Sequence, residues 1–328
     1  MVSYSPVIIP VLFFLLFIVD NAYALVAKPA NRLLQLAAQA SAVPLLGVHD
    51  ALSARIFAQE GFPALFLSGF GVSSCYLGQP DAGILTYSEC EDVARQVMRA
   101  IQPTGVPLMV DGDTGYGGAS NIRRAVRGLA QAGAAAITIE DQVFPKKCTY
   151  LAGNAIRVEE RTQALTRIRT ALVAQQEARE VDGNDILLVG RTDCRAALGF
   201  QEALARCLAM EELGCDIVYA ENLQTSEEYR ELRTALKPST LTMLAQVQTG
   251  DPQQRLYSLD EVSDLGYNFA LMGITGLQAT VAALQNVARE LHERSNGLHV
   301  SECDLASFAN VKDVLGFADL DAFEQQFK

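Results

Sequence analysis

The chain is short of positive charge. Its 26 lysines and arginines stand against 38 aspartates and glutamates, a net charge of −12 with a pI near 4.8. Binding a phosphate backbone needs a basic surface, so a nucleic-acid partner is excluded. No CxxC pair offers a zinc site or redox motif among the seven cysteines (75, 90, 148, 194, 207, 215 and 303). Their odd number argues against a disulfide framework, and a large core needs no such staples. Cys207 and Cys215 fall in or beside apolar patterns, where cysteine acts as a small hydrophobe. Like-charge blocks, low-complexity tracts and repeats of strong residue identity are absent. The apolar run 7–19 is too short for a membrane span of about 20 residues. With Ala22-Tyr23-Ala24 behind it, a small-x-small cleavage pattern, residues 1–24 read as a signal peptide or targeting segment lacking the usual basic n-region; an uncleaved anchor is the alternative.

What remains is a chain of 328 residues, half of them hydrophobic, enough for one large domain. Cysteine usage of the reduced-compartment type behind a secretory signal suggests the first half of an organelle address, of plastid or mitochondrial type rather than extracellular. Residues 25–48, with Lys28 and Arg32 and no acid, suit its second half. Residues 25–42 read as an N-terminal helix or linker. From residue 43 short apolar strands alternate with amphipathic helices. Strands are expected at 44–48, 64–67, 107–110, 136–139, 186–190, 216–220, 241–245 and 269–272. Helices are expected near 51–60, 88–101, 119–132, 158–179, 201–213, 226–236, 259–265 and 276–294. Gly133, Gly214 and Gly266 stand where helix-ending glycines belong. Eight such units over about 250 residues predict a (β/α)8 TIM barrel spanning 43–295. An open doubly wound sheet is the runner-up, but Gly69-Phe70-Gly71-Val72-Ser73-Ser74 only half matches its fingerprint and a long polar loop is expected after it. Residues 296–328 form a helical extension whose apolar face needs a cover, which a neighbouring subunit could supply.

A barrel collects its chemistry at strand C-termini. Here those ends read His49-Asp50, Ser68-Gly69, Asp111 with Asp113, Glu140-Asp141, Arg191-Thr192-Asp193, Glu221-Asn222 and Gln246-Val247-Gln248. If its strand persists through both, alternation aims Asp111 and Asp113 the same way. Such like charges call for a cation, and Mg2+ suits a site with few protein ligands. The plain alternative is a solvated turn in which Asp113 caps the next helix. Carboxylates on several strand ends with an arginine on another favour a metal-assisted site for a small anion.

These pieces resemble the isocitrate lyase and phosphoenolpyruvate mutase superfamily. They run in family order: Leu67-Ser68-Gly69, Asp81, Asp111-x-Asp113-Thr-Gly-Tyr-Gly, Ile139-Glu140-Asp141-Gln142, Pro145-Lys146-Lys147-Cys148, Gly190-Arg191-Thr192-Asp193 and Ala220-Glu221. The resemblance implies a barrel, a Mg2+ cofactor (or Mn2+ in its place) and homotetramers, dimers of dimers, with C-terminal helices swapped between subunits. It implies Asp111 and Asp113 as metal ligands, with Asp81 and Glu140 reaching the ion mostly through water. Ser68, Gly69 and Phe70 would donate to a substrate carboxylate that Arg191 neutralises. Glu221 would place the reacting oxygen. Residues 142–157 look like a mobile gating loop, with Gly153 and Asn154 letting it close.

The same loop carries Lys146 and Cys148, and a thiol beside lysines can protonate the enolate left by carbon–carbon cleavage. Mutases of the family carry Asn where Cys148 stands. Thr149 and Tyr150 replace the Gly-His of its lyases. Gln246 and Gln248 replace Asn-x-Thr, and Gln278 replaces an Arg, so a substrate smaller or less charged than isocitrate is expected. The reading is a Mg2+-dependent lyase for a small 2-hydroxy or 2-oxo di- or tricarboxylate. Its alternatives are oxaloacetate hydrolysis or decarboxylation, phosphorus–carbon chemistry on phosphonopyruvate, and a catalytically silent binding barrel.

Overall fold

The computed structural model describes residues 28–39, 41–149, 156–293, 300 and 305–328. The signal-peptide segment, Tyr150, Gly153 and Asn154 of the gating loop, and Cys303 lie outside them. Eight parallel strands, β1 (Val43–Val48), β2 (Ala64–Leu67), β3 (Leu108–Asp111), β4 (Ala136–Ile139), β5 (Leu187–Thr192), β6 (Ile217–Ala220), β7 (Leu241–Ala245) and β8 (Phe269–Met272), pair in sequence order. Pairing of β1 with β8 closes the barrel. The (β/α)8 fold expected from the alternation is therefore the fold adopted.

Each strand is buried on both faces, as a parallel sheet under helices must be. Leu45, Phe66, Met109, Ala136, Val189, Tyr219, Met243 and Leu271 fill the interior. Their strand neighbours, such as Leu65, Val110 and Leu188, pack outward against the helices. The amphipathic helix Pro29–Ala37 joins the interior cluster through Leu33 and Leu36, so the barrel has an apolar plug of its own. Two residues further along each strand, the same inward face carries Ser68, Asp111, Thr138, Arg191, Glu221 and Ala245. On β1 and β8 that level is glycine. A Cβ on Gly47 would lie 1.8 Å from the Gly273 carbonyl oxygen, so side chains are excluded there by backbone contact. The pleat thus turns the chain's polar strand ends into one lined mouth.

Two local expectations change. The loop expected after residues 69–74 begins only at Gly78, because residues 69–77 are helical: Gly69–Val72 is an α-turn capped by Ser68, whose Oγ accepts from Gly71 N at 3.2 Å. A π-turn, Ser73–Leu77, continues it and stops at Gly78 in the left-handed region. Asp113 does not extend β3, which ends at Asp111; its φ is +48°. The chain leaves the sheet at Gly112, where a Cβ would meet the Thr138 carbonyl at 2.4 Å. A turn, not strand alternation, therefore brings Asp113 beside Asp111. Nor does Asp113 cap a helix, because Ala119–Ala132 begins at Gly118 without a side-chain cap.

Asp141 proves to be a fastening between strand ends. It accepts from Asp193 N at 2.9 Å and from the Thr192 hydroxyl, and it pairs with Arg206 Nη1 at 2.9 Å from helix Phe200–Leu213. Both side chains of that pair are at most 2% exposed. Removing one partner of a buried pair strands the other charge, at a cost of about 3–5 kcal/mol. Arg206→Met is accordingly expected to lower the urea midpoint by that much stability. Adding Asp141→Asn should recover more than half of the loss.

Helices Phe308–Leu315 and Phe317–Gln325 bury no residue, and Phe308, Leu320, Phe323 and Phe327 are each more than half exposed. Among the described residues, no helix is long and apolar enough to cross a membrane, and the six described cysteines form no disulfide.

Candidate active site

The mouth encloses a cavity of about 290 Å³. Ser68, Phe70, Asp81, Asp111, Lys146, Cys148, Arg191, Glu221, Gln246 and Gln248 line it, together with Tyr219 and Thr149. Asp113 and Glu140 do not line it; they are buried in the same cluster, 4% and 1% exposed.

Lys146 joins three segments of chain. Its Nζ lies 2.6 and 2.7 Å from the two oxygens of Asp81, in the loop after β2, and 2.7 Å from Asp113 Oδ1. Burial opposes its charge, but Asp113, Asp81 and Glu140 outweigh that and hold its pKa well above the usual lysine range. Arg191 plays the same part across the mouth. Its Nε lies 2.8 Å from Asp193 and 3.4 Å from Glu140, and its Nη2 lies 3.2 Å from Glu221. Glu221 also accepts from the Tyr219 hydroxyl, two residues back on the same face of β6.

Six carboxyl groups, those of Asp81, Asp111, Asp113, Glu140, Asp193 and Glu221, thus surround two protein cations, Lys146 and Arg191. The excess negative charge must be met by protons or by another cation. Burial, reinforced by Asp111 and Asp81 against the pull of Lys146, raises Asp113 to about 7. Burial drives Glu140 well above the ordinary carboxylate range despite Arg191. Asp111 goes the other way: Lys146, Arg191 and bonds from Asp113 N and the Thr138 hydroxyl (3.0 Å) overcome its burial and keep it ionised.

Asp113 Oδ1 touches the Lys146 ammonium without hydrogen-bond geometry, and neither oxygen of Glu140 has a hydrogen-bond donor among the described residues. Hard oxygens in charge excess fit a divalent ion. Among the described residues, no three acidic, His or Cys side chains are gathered to hold a metal by themselves. A divalent ion held here would therefore need waters to complete its shell, as Mg2+ commonly does.

Some expected donors are committed elsewhere. Gly69 N–H donates to Asp111 Oδ2 at 3.3 Å rather than into the cavity. The Gln246 amide is bonded at both ends, 2.9 Å each, to the Tyr257 backbone, so it fastens the loop after β7. Gln248 is exposed, and its carbonyl accepts from Gln278 Nε2 at 2.7 Å. Tyr219 and Thr138 are site residues that the sequence reading does not name, whereas Asp193 stands in its strand-end motif without an assigned role. Tyr219 and Thr138 each lie two positions from an expected residue, 221 or 140, and spacing of that kind on a strand is the available signal. Gln142 anchors the Cys148 segment, bonding the Lys147 backbone at 3.0 and 2.9 Å and Asp193 through its amide.

A closed parallel barrel with a buried acidic mouth and two opposed cations is the architecture of an enzyme handling small anions. The phosphoenolpyruvate phosphomutase family model matches residues 33–292. The chain belongs to this family, within the isocitrate lyase and PEP mutase superfamily. It is 31% identical over 281 residues to 2,3-dimethylmalate lyase of Eubacterium barkeri, covering 86% of this chain and 92% of that protein. It is 32% identical to 2-methylisocitrate lyase of Aeropyrum pernix, with 89% of each covered. The chloroplastic carboxyvinyl-carboxyphosphonate phosphorylmutase of Arabidopsis thaliana is also 32% identical, over 90% of this chain and 83% of that one. Among solved structures, oxaloacetate acetylhydrolase in complex with 3,3-difluorooxalacetate superposes with a TM-score of 0.82 at 27% identity, covering 91% of this chain and 97% of that one. Phosphonopyruvate hydrolase in complex with oxalate and Mg2+ gives 0.77 at 25%, covering 92% and 99%.

Proposed function

We propose that this chain is a Mg2+-dependent carbon–carbon lyase that splits a small 2-hydroxy dicarboxylate into a 2-oxo acid and a second carboxylic acid. One observation carries the reading: a carboxylate excess, an arginine and the Cys148 thiol converge on a single cavity. Asp111 and Asp113 would hold the ion, with Glu140 reaching it through water. Bound there, Mg2+ supplies Lewis-acid neutralisation of charge developing on substrate oxygens.

The chain's own residues do the rest. Arg191 orients the C1 carboxylate. The base role is assigned to Glu221, which lines the cavity between Arg191 and the Tyr219 hydroxyl. The hydroxyl proton passes to Glu221, the C2–O bond becomes a carbonyl, and the C2–C3 bond breaks. The electron pair left on C3 takes its proton from Cys148.

A panel of 2-hydroxy and 2-oxo acids plus phosphonopyruvate, assayed with Mg2+ and with EDTA, tests the assignment by product mass spectrometry. A 2-oxo acid and a carboxylic acid in equal amounts, lost with EDTA, is the expected outcome. Release of phosphate or pyruvate from phosphonopyruvate alone overturns it. The likeness to oxaloacetate acetylhydrolase supports a second reading, hydrolysis of a 2-oxo dicarboxylate, which acetate and oxalate from oxaloacetate would reveal.

The enzyme works as a homo-oligomer in which the apolar face of residues 308–327 is covered by a neighbouring copy. Sedimentation of the full chain as a monomer counts against that. Its N-terminal segment directs it to an organelle, a reading supported by the chloroplastic relative and checked by imaging a fluorescent fusion.

A further inference from the structure

Asp193 lies behind the cavity wall rather than in it, fully buried just after β5. Its carboxylate is met from two directions. From its own strand end comes Arg191, whose Nε is 2.8 Å from Oδ1 and whose Nη2 is 3.1 Å from Oδ2. From the loop after β4 come the Thr149 hydroxyl, 3.3 Å from the same Oδ2, and the Gln142 amide nitrogen. That amide also donates to the Lys147 carbonyl at 3.0 Å, and its oxygen accepts from Lys147 N at 2.9 Å. Both chain neighbours of Cys148 are therefore fastened to one carboxylate oxygen, Thr149 directly and Lys147 through Gln142.

Arg191, Cys148 and Thr149 all line the cavity, and Thr149 is only 3% exposed. A guanidinium fork on a carboxylate is a strong and directional pair. Buried with it, the loop donors cannot trade their bonds for water without leaving a polar group unsatisfied. Arg191 is the group assigned to the C1 carboxylate, and Cys148 the group assigned to protonate C3. Tying both to one side chain sets the span between them. That span matters, because a misplacement of about 1 Å at reacting atoms can cost about 10²-fold in rate.

Resting on the lyase reading, we infer that Asp193 is a positioning residue that fixes the proton donor relative to the carboxylate anchor, with Thr149 and Gln142 as its arms on the Cys148 segment. Asp193 does not line the cavity and acts only through the groups it holds. The tie from Thr149 is made by its side chain, so it can be cut with little change of shape.

In Thr149→Val turnover should fall about tenfold, while KM and the calorimetric affinity for succinate stay within about twofold, because Arg191 keeps both bonds to Asp193. Thr149→Ser, which puts the hydroxyl back, should recover turnover to within about threefold. Alkylation by iodoacetamide, read by mass spectrometry of the Cys148 peptide, follows placement without turnover. Cys148 should react at least about threefold faster in Thr149→Val and in Gln142→Met. Asp193→Asn leaves a single acceptor oxygen for both sets of donors and should match or exceed Thr149→Val in turnover loss and in alkylation. The buried Cys90, Cys194 and Cys207 should stay unmodified throughout. Their modification alongside Cys148 overturns the inference, since it marks general loosening. So does a Thr149→Val variant within twofold of the unaltered chain in both turnover and alkylation.

The two readings fail separately. Faster Cys148 alkylation in the variants, with no 2-hydroxy or 2-oxo acid cleaved by the unaltered chain, leaves the tie standing and removes the lyase. Cleavage by the unaltered chain, with Cys148 alkylation and turnover unchanged in Thr149→Val, does the reverse.

Discussion

Cys148→Ser lowers turnover by about 10²–10⁴-fold, the contribution of a positioned general acid, and leaves Mg2+-dependent dicarboxylate binding within threefold of the unaltered enzyme. The expectation follows from where the thiol is. Cys148 lies partly buried in the wall of the cavity that also holds Asp111, Arg191 and Glu221. Lys146, two residues before it, is engaged with Asp81 and Asp113. Serine keeps the shape but is a far weaker acid, so the proposed proton donor to C3 is lost while the groups proposed to hold the substrate stay in place. Stopped-flow turnover together with calorimetric binding of succinate reads both halves of the prediction. Activity within tenfold of the unaltered enzyme would falsify the acid role.

Asp111→Asn has the other large effect, on metal dependence. Asp111 is held ionised while burial pushes Asp113 and Glu140 toward their neutral forms, so it is the carboxylate ready to meet a cation. Without it the ion loses the carboxylate proposed as its ligand, and activity should fall to the level seen with EDTA and stay there when Mg2+ is raised. Stability offers a readout that needs no substrate. An ion at a hundredfold its Kd stabilises the folded state by about 2.7 kcal/mol. Thermal unfolding of the unaltered protein should rise accordingly on adding Mg2+. In the variant that rise should vanish, while the midpoint without metal stays close to the unaltered value, since one of two like charges is gone. An undiminished Mg2+ shift in the variant places the ion elsewhere.

The barrel was legible because strands covered on both faces must be short continuous apolar runs, and glycines such as Gly133 and Gly214 end the helices between them. Alternation along those strands carried Asp111, Arg191 and Glu221 to one mouth without any knowledge of contacts. What escaped depended on turns and on partners distant in sequence. A left-handed Asp113 cannot be inferred from a strand pattern, since the turn is imposed where Gly112 crowds Thr138. Gln246 stands at a strand end like Glu221, yet its amide serves Tyr257, eleven residues away. Asp141 sits beside Glu140 in the same motif but faces a helix arginine 65 residues on. Motif membership says which residues are near the mouth, and only the packed structure says which face it.

Lys146 and Cys148 are two residues apart on one segment, pinned between them at Lys147 by both ends of the Gln142 amide. The two side chains therefore share one backbone anchor. A displacement that drew the ammonium from its two aspartates would carry the thiol with it, so the charge balance around those aspartates and the placing of Cys148 at the cavity wall are tied to the same stretch of backbone.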